Sequence, residues 1–97
     1  MIGELNILEY NLESWMSLFS PALRLENTLV SDLGLAHIKA WTGLYFVDLE
    51  GTQVSDGGLE QLKGLIALQE LRLGRTQVTH TGVARLQQAL PNCKISY

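Results

Sequence analysis

Apolar positions in this chain return on a period of 24 residues. Leu35, Ile38, Trp41, Leu44, Val47 and Leu49 recur in phase as Leu59, Leu62, Leu65, Leu68, Leu71 and Leu73. The polar residues between them repeat as well. Thr28-Leu29-Val30-Ser31-Asp32-Leu33-Gly34-Leu35 returns as Thr52-Gln53-Val54-Ser55-Asp56-Gly57-Gly58-Leu59, and more loosely as Thr76-Gln77-Val78-Thr79-His80-Thr81-Gly82-Val83. Self-similarity at a fixed period of this length marks an array of supersecondary units that bury their apolar faces against one another.

Each unit reads as a strand, a turn and a short helix. Phe46-Val47-Asp48-Leu49 and Glu70-Leu71-Arg72-Leu73 alternate as strands with one buried face do. Shifted by one period, the same pattern predicts a first strand at Ala22-Leu23-Arg24-Leu25 and a fourth at Lys94-Ile95-Ser96-Tyr97. Asp32 and Asp56, beside Ser31 and Ser55, fall where a helix N-cap is wanted, and Thr79 takes that place in the last unit. The helices then bury Leu35, Ile38 and Trp41, next Leu59, Leu62 and Leu65, and last Val83, Leu86 and Leu90. They turn His37, Lys39, Glu60, Gln61, Lys63, Arg85, Gln87 and Gln88 outward, a solvated face with no run of one sign. Gly34, Gly58 and Gly82 recur in the first helical turn, where a side chain would strike the neighbouring unit. Pro91 ends the last helix. Asn92 replaces the Leu44/Leu68 position, and Cys93 packs beside it as a small hydrophobe.

Residues 1–20 stand outside the strict repeat as an N-terminal capping segment, and residues 21–97 form the repeat domain. Leu5, Leu8, Leu12, Trp15, Met16 and Phe19 make one helical stripe, with a stop before Pro21. Alternation at Leu8, Tyr10 and Leu12 suits a strand instead, and Leu12, Trp15 and Leu18 suit a worn repeat helix. All three readings give the segment one task, covering the open end of the stack.

Leu68-x-x-Leu71-x-Leu73-x-x-Thr76-x-Val78-Thr79 resembles the leucine-rich repeat L-x-x-L-x-L-x-x-N/C-x-L, with threonine for the asparagine or cysteine and valine for the last leucine. The Thr-x-Val-Ser/Thr-Asp-x-Gly-Leu continuation, closed by Ala89-Leu90-Pro91-Asn92-Cys93-Lys94-Ile95, resembles a bacterial variant of that repeat. It is similar to the cysteine-containing repeats of F-box-type adaptors and to ribonuclease-inhibitor-like repeats. The resemblance covers residues 21–97 and implies an α/β fold, a short curved solenoid of about four parallel strands with helices on the convex side. Thr28, Thr52 and Thr76 hold the asparagine or cysteine place, so a hydroxyl must meet the backbone groups that an amide usually meets. Such arrays bind many unrelated partners, so what is implied for function is protein recognition without a named partner.

Strands pair about 4.8 Å apart whereas helices pack about 8–10 Å apart, so a stack of such units bends with its sheet on the inside. The side chains on that concave face fall in rows: Ala22, Phe46, Glu70 and Lys94; Arg24, Asp48, Arg72 and Ser96; Glu26, Glu50 and Gly74. The candidate protein-binding residues are Arg24, Phe46, Asp48, Glu50, Glu70, Arg72 and Lys94. The alternating Arg24, Asp48 and Arg72 read first as a cross-strand ion ladder worth a few tenths of a kcal/mol per pair, and second as a binding row. Phe46 is either an anchor for a partner or a ring tucked under the N-terminal segment. Trp41 takes a leucine position and reads as core. Tyr97 ends an edge strand whose free backbone groups invite pairing with a second copy.

Composition narrows the partner. The chain has 97 residues, 46% of them hydrophobic and 18% charged, which suits one ordered domain. A net charge of −3 offers no surface for a run of phosphates, so nucleic acid is not expected. No segment has the apolar length of a membrane helix or the basic lead of a cleaved signal, so a cytoplasmic address is expected and no membrane contact. The single cysteine sets up neither a disulfide nor a zinc site, and no cofactor or metal is expected. His37 and His80 lie in different phases of the repeat, and Cys93 with His80 carries no nucleophile motif. The expected function is a non-catalytic protein-protein interaction module acting through the concave face. The alternative is a structural or oligomerisation unit, or a fragment of a longer solenoid, that makes a homodimer through its C-terminal edge strand.

Overall fold

A computed structural model describes residues 22–97. The expected N-terminal capping segment therefore lies outside the described residues.

Four strands, β1 (Ala22–Arg24), β2 (Phe46–Asp48), β3 (Glu70–Arg72) and β4 (Lys94–Ser96), form one open parallel sheet in chain order. Their register follows the sequence period: Ala22 pairs with Phe46, Phe46 with Glu70, and Glu70 with Lys94. Leu23, Val47 and Leu71 then stand shoulder to shoulder on the buried face, with Ile95 half-buried beside them at the edge. The three crossovers carry α1 (Asp32–Leu35), α2 (Asp56–Leu59) and α3 (His80–Ala89). One apolar cluster joins the layers, from Val30, Leu35 and Trp41 through Val54 and Leu62 to Val83, Leu86 and Cys93. Burying this cluster, whose Leu35, Val47, Leu62 and Leu86 are fully closed off, is the main force that holds the layers together.

The helical segments differ from the expected ones. α1 and α2 are four residues each, and α2 runs on as a single 3₁₀ turn, Glu60–Leu62. In the first unit the chain then advances by i→i+3 hydrogen bonds, Ile38 N–H to Leu35 O at 3.1 Å, Trp41 to Ile38 at 3.0 Å and Leu44 to Trp41 at 3.0 Å. A 3₁₀ path rises about 2.0 Å per residue against about 1.5 Å for an α-helix, so few residues carry the chain back to the sheet. α3 lacks an interior glycine after Gly82, is built of Val83-Ala84-Arg85-Leu86-Gln87-Gln88-Ala89, and extends for ten residues. The extra length moves the last two core positions by one residue. Leu90 and Cys93 are buried, Asn92 is exposed, and register is regained at Lys94.

The caps also differ. Ser31 and Ser55 occupy the N-cap positions without a capping hydrogen bond from their side chains, and only Thr79 caps, accepting from Gly82 N–H at 3.2 Å. The aspartates instead reach forward one unit. Asp32 accepts the Ser55 N–H at 2.7 Å and its hydroxyl, and Asp56 accepts the Thr79 N–H at 2.8 Å and its hydroxyl at 2.5 Å. This carboxylate ladder explains the recurring glycines: a Cβ on Gly58 would collide with the Asp32 carboxylate, and one on Gly82 with that of Asp56. The threonines perform as expected. Thr28, Thr52 and Thr76 donate their hydroxyls to Leu25, Leu49 and Leu73 carbonyls, each at 2.7 Å, closing the turn after each strand.

Candidate functional site

Side chains alternate along a strand, so the residues flanking Leu23, Val47, Leu71 and Ile95 rise together from the outer face of the sheet. The register aligns Ala22, Phe46, Glu70 and Lys94 in one row and Arg24, Asp48, Arg72 and Ser96 in the next. Six of the seven candidate residues are thus brought to one face, although not to one kind of environment, and Glu50 lies in the turn after β2.

Phe46 is half-buried between two guanidinium groups. The Arg24 guanidinium carbon lies 4.9 Å from its ring centroid and that of Arg72 lies 5.8 Å away. Both fall within the range in which a cation is attracted to an aromatic face, worth about 0.5–1 kcal/mol where solvent reaches it. Arg24 and Arg72 are exposed, so the stack presents charged donors outward on an apolar base.

Asp48 is a correction to the expected exposed row. It is only 3% exposed. Its short side chain turns back on its own strand, where Oδ1 accepts the Glu50 N–H at 3.0 Å and Oδ2 lies 4.0 Å from Arg72 Nη1. The longer arginines of its row reach past it into solvent. The alternating row is therefore no even ladder. Arg72 meets Asp48 on one side and Glu70 Oε2, at 3.3 Å, on the other, while Arg24 turns to the ring. Among the described residues Arg24 and Lys94 take part in no ion pair.

Toward the carboxyl ends of the strands the face becomes acidic. Glu50 is half-buried with its carboxylate against Gly74, and Glu26 holds a buried Oε1 without a hydrogen-bond partner. One end of the strands thus carries Arg24, Arg72 and Lys94 with Phe46, besides Glu70 and the buried Asp48, and the other end carries Glu26 and Glu50.

Groups with nucleophilic or acid-base chemistry lie elsewhere. Cys93 is buried in the core, and desolvation, with the nearby Glu70 charge, pushes its thiol from 9.0 up to about 11, so it is protonated at neutral pH. His80 Nδ1 is hydrogen-bonded to the Tyr97 hydroxyl on the exposed surface. His37 is exposed on the helical side. Among the described residues no three His, Cys, Asp or Glu side chains are grouped to hold a metal, and no helix is long and apolar enough to cross a membrane.

One concavity escaped the sequence reading. A groove of about 420 Å³ runs between α2 and α3, lined by Asp56, Gly57, Glu60, Thr81, Gly82 and Arg85. Gly57 and Gly82 contribute backbone and no side chain to its lining, and of these two only Gly82 stands out in the sequence, where it reads as close packing. Asp56 beneath it is held below the ordinary carboxylate value, first by the Thr79 hydroxyl and then by the Thr79 N–H, with Arg85 adding to both.

No protein-family model matches this chain, and a search of curated proteins finds no match to it.

Proposed function

We propose that the chain is a non-catalytic protein-binding module, built as a short leucine-rich-repeat solenoid whose concave sheet face receives the partner. The in-register parallel strands and the forward-reaching aspartates support the solenoid reading because they join successive units, and the threonine hydroxyls support it because they close the same turn in each unit. The observation that carries the binding reading is the Arg24–Phe46–Arg72 stack. Arginine and aromatic residues are enriched among the anchors of protein interfaces, and here they are already ordered against each other before a partner arrives. A single buried thiol suits a reducing compartment such as the cytoplasm.

The test begins with identification by mass spectrometry of a protein that co-purifies with the intact chain, followed by affinity measurement with that protein. Phe46→Ala and Arg72→Glu are each expected to weaken binding about tenfold or more, the span of a modest hot spot, while the thermal midpoint stays close to that of the parent. Unchanged affinity in both variants would remove the sheet face from consideration.

A second reading rests on β4. Its outer edge pairs with no strand among the described residues, and its own Ile95 is half-buried. A unit of this kind serves assembly, either as a homodimer joined edge to edge or as a piece of a longer array.

A further inference from the structure

Building on the protein-binding reading, we infer that the sheet face accepts an extended acidic segment that crosses the strands, with carboxylates over Arg24 and Lys94 and an apolar side chain between them at Phe46. Charge sets this choice. Arg24 and Lys94 are exposed, rise from the same face, and take part in no ion pair among the described residues, whereas Arg72 is already engaged by Glu70 and Asp48. The two unpaired cations stand on the first and fourth strands. Lys94 lies level with Ala22, two residues before Arg24, so three interstrand spacings of about 4.8 Å and one two-residue step of about 7 Å along the strands set their backbones about 16 Å apart on a diagonal. An extended chain advances about 3.4 Å per residue, so side chains four residues apart on one face span about 14 Å, and the Arg24 guanidinium, which leans across to the Phe46 ring on the next strand, shortens the diagonal to that reach.

The residue midway between those carboxylates faces Phe46 and Glu70. An apolar side chain fits there, since a third carboxylate would meet Glu70 across an exposed surface and a ring edge is already present to be covered. The track is also fixed along the strands. Glu26 and Glu50 lie toward the carboxyl ends and repel an acidic segment from that half, so among the described residues the half that carries Arg24, Arg72 and Lys94 is the more favourable crossing. An overall net charge of −3 does not oppose this, because over separations greater than a Debye length of about 8 Å the remaining charges are screened.

The experiment uses the intact chain and fluorescent seven-residue peptides read by anisotropy. One carries Glu at positions 2 and 6 with Leu at 4. The comparison peptides carry Lys at 2 and 6, or Glu at 2 and 4 with Leu at 6, and a single-stranded oligonucleotide of similar length serves as a phosphate probe. The Glu/Leu/Glu peptide is expected to bind tightest and to lose affinity as salt rises. The Arg24→Glu, Lys94→Glu double variant is expected to weaken it about tenfold, since two attractions become two repulsions; both sites are exposed, and circular dichroism checks that the variant is folded. Equal binding of the Lys peptide, or tighter binding of the oligonucleotide or of the peptide with adjacent-row spacing, overturns the acidic segment and leaves the face itself to be judged with the identified partner and Phe46→Ala. Acidic-peptide binding that survives the double reversal places the contact elsewhere and overturns both.

Discussion

Asn27, Gly51 and Arg75 hold one place in three successive units, and all three have left-handed backbone, with φ of 59°, 70° and 55°. The turn that follows each strand demands this conformation, and only glycine adopts it without a penalty from its Cβ. At Gly51 the demand is double, since a Cβ would also collide with the Asn27 side chain. Gly51→Ala is expected to cost about 1–2 kcal/mol or more in urea unfolding. Gly43, where a Cβ would meet nothing and φ is not left-handed, supplies the control. Gly43→Ala is expected to be neutral or to stabilise by up to about 1 kcal/mol. Equal effects at the two positions would show that the turn does not impose its conformation.

The element that joins one unit to the next on the helical side is the aspartate ladder. Asp56 is ionised when it accepts the Thr79 hydroxyl and N–H, and those bonds lower its pKa from 3.8. A carboxyl with a depressed folded pKa contributes stability that is present above its ordinary pKa and lost as pH falls through the folded one. The parent chain is therefore expected to be more stable than Asp56→Asn at pH 7, with the difference closing below pH 3.8 as the carboxylate takes up its proton. Urea midpoints of both proteins across acid pH measure this. A difference that stays constant with pH would assign the effect to shape alone. His80 stands in the next rung, where its Nδ1 is hydrogen-bonded to the Tyr97 hydroxyl.

At the scale of the whole molecule, the parallel sheet, its register and nearly all of the core were legible in the sequence, because an in-phase period specifies which residues must be neighbours. The lengths of α1 and α2 were not, since apolar spacing of three suits α and 3₁₀ paths alike. The burial of Asp48 and the forward reach of Asp32 and Asp56 were also hidden. In each case a short carboxylate chose among nearby backbone donors, within its own unit for Asp48 and in the next unit for Asp32 and Asp56, and apolar spacing does not specify that choice. The positions of Asn27 and Arg75 in the turn were open to view but masked by their dissimilar side chains. Self-association belongs to this scale too. If the free side of β4 joins two copies, light scattering over a hundredfold range of concentration is expected to rise from the 10.8 kDa of one chain toward twice that mass. A mass fixed at one chain throughout rules the edge-to-edge homodimer out.

The register has a last consequence, for how the chain finds its structure. Every strand takes its sheet partner from the adjacent unit, so the loop that must close before two strands meet never exceeds one period. Closure entropy grows with loop length, and folding slows as contacting residues lie farther apart along the chain. Although the sheet of the described residues is parallel throughout, it escapes the long searches that parallel pairing usually imposes. It can zip from any nucleated pair of units outward.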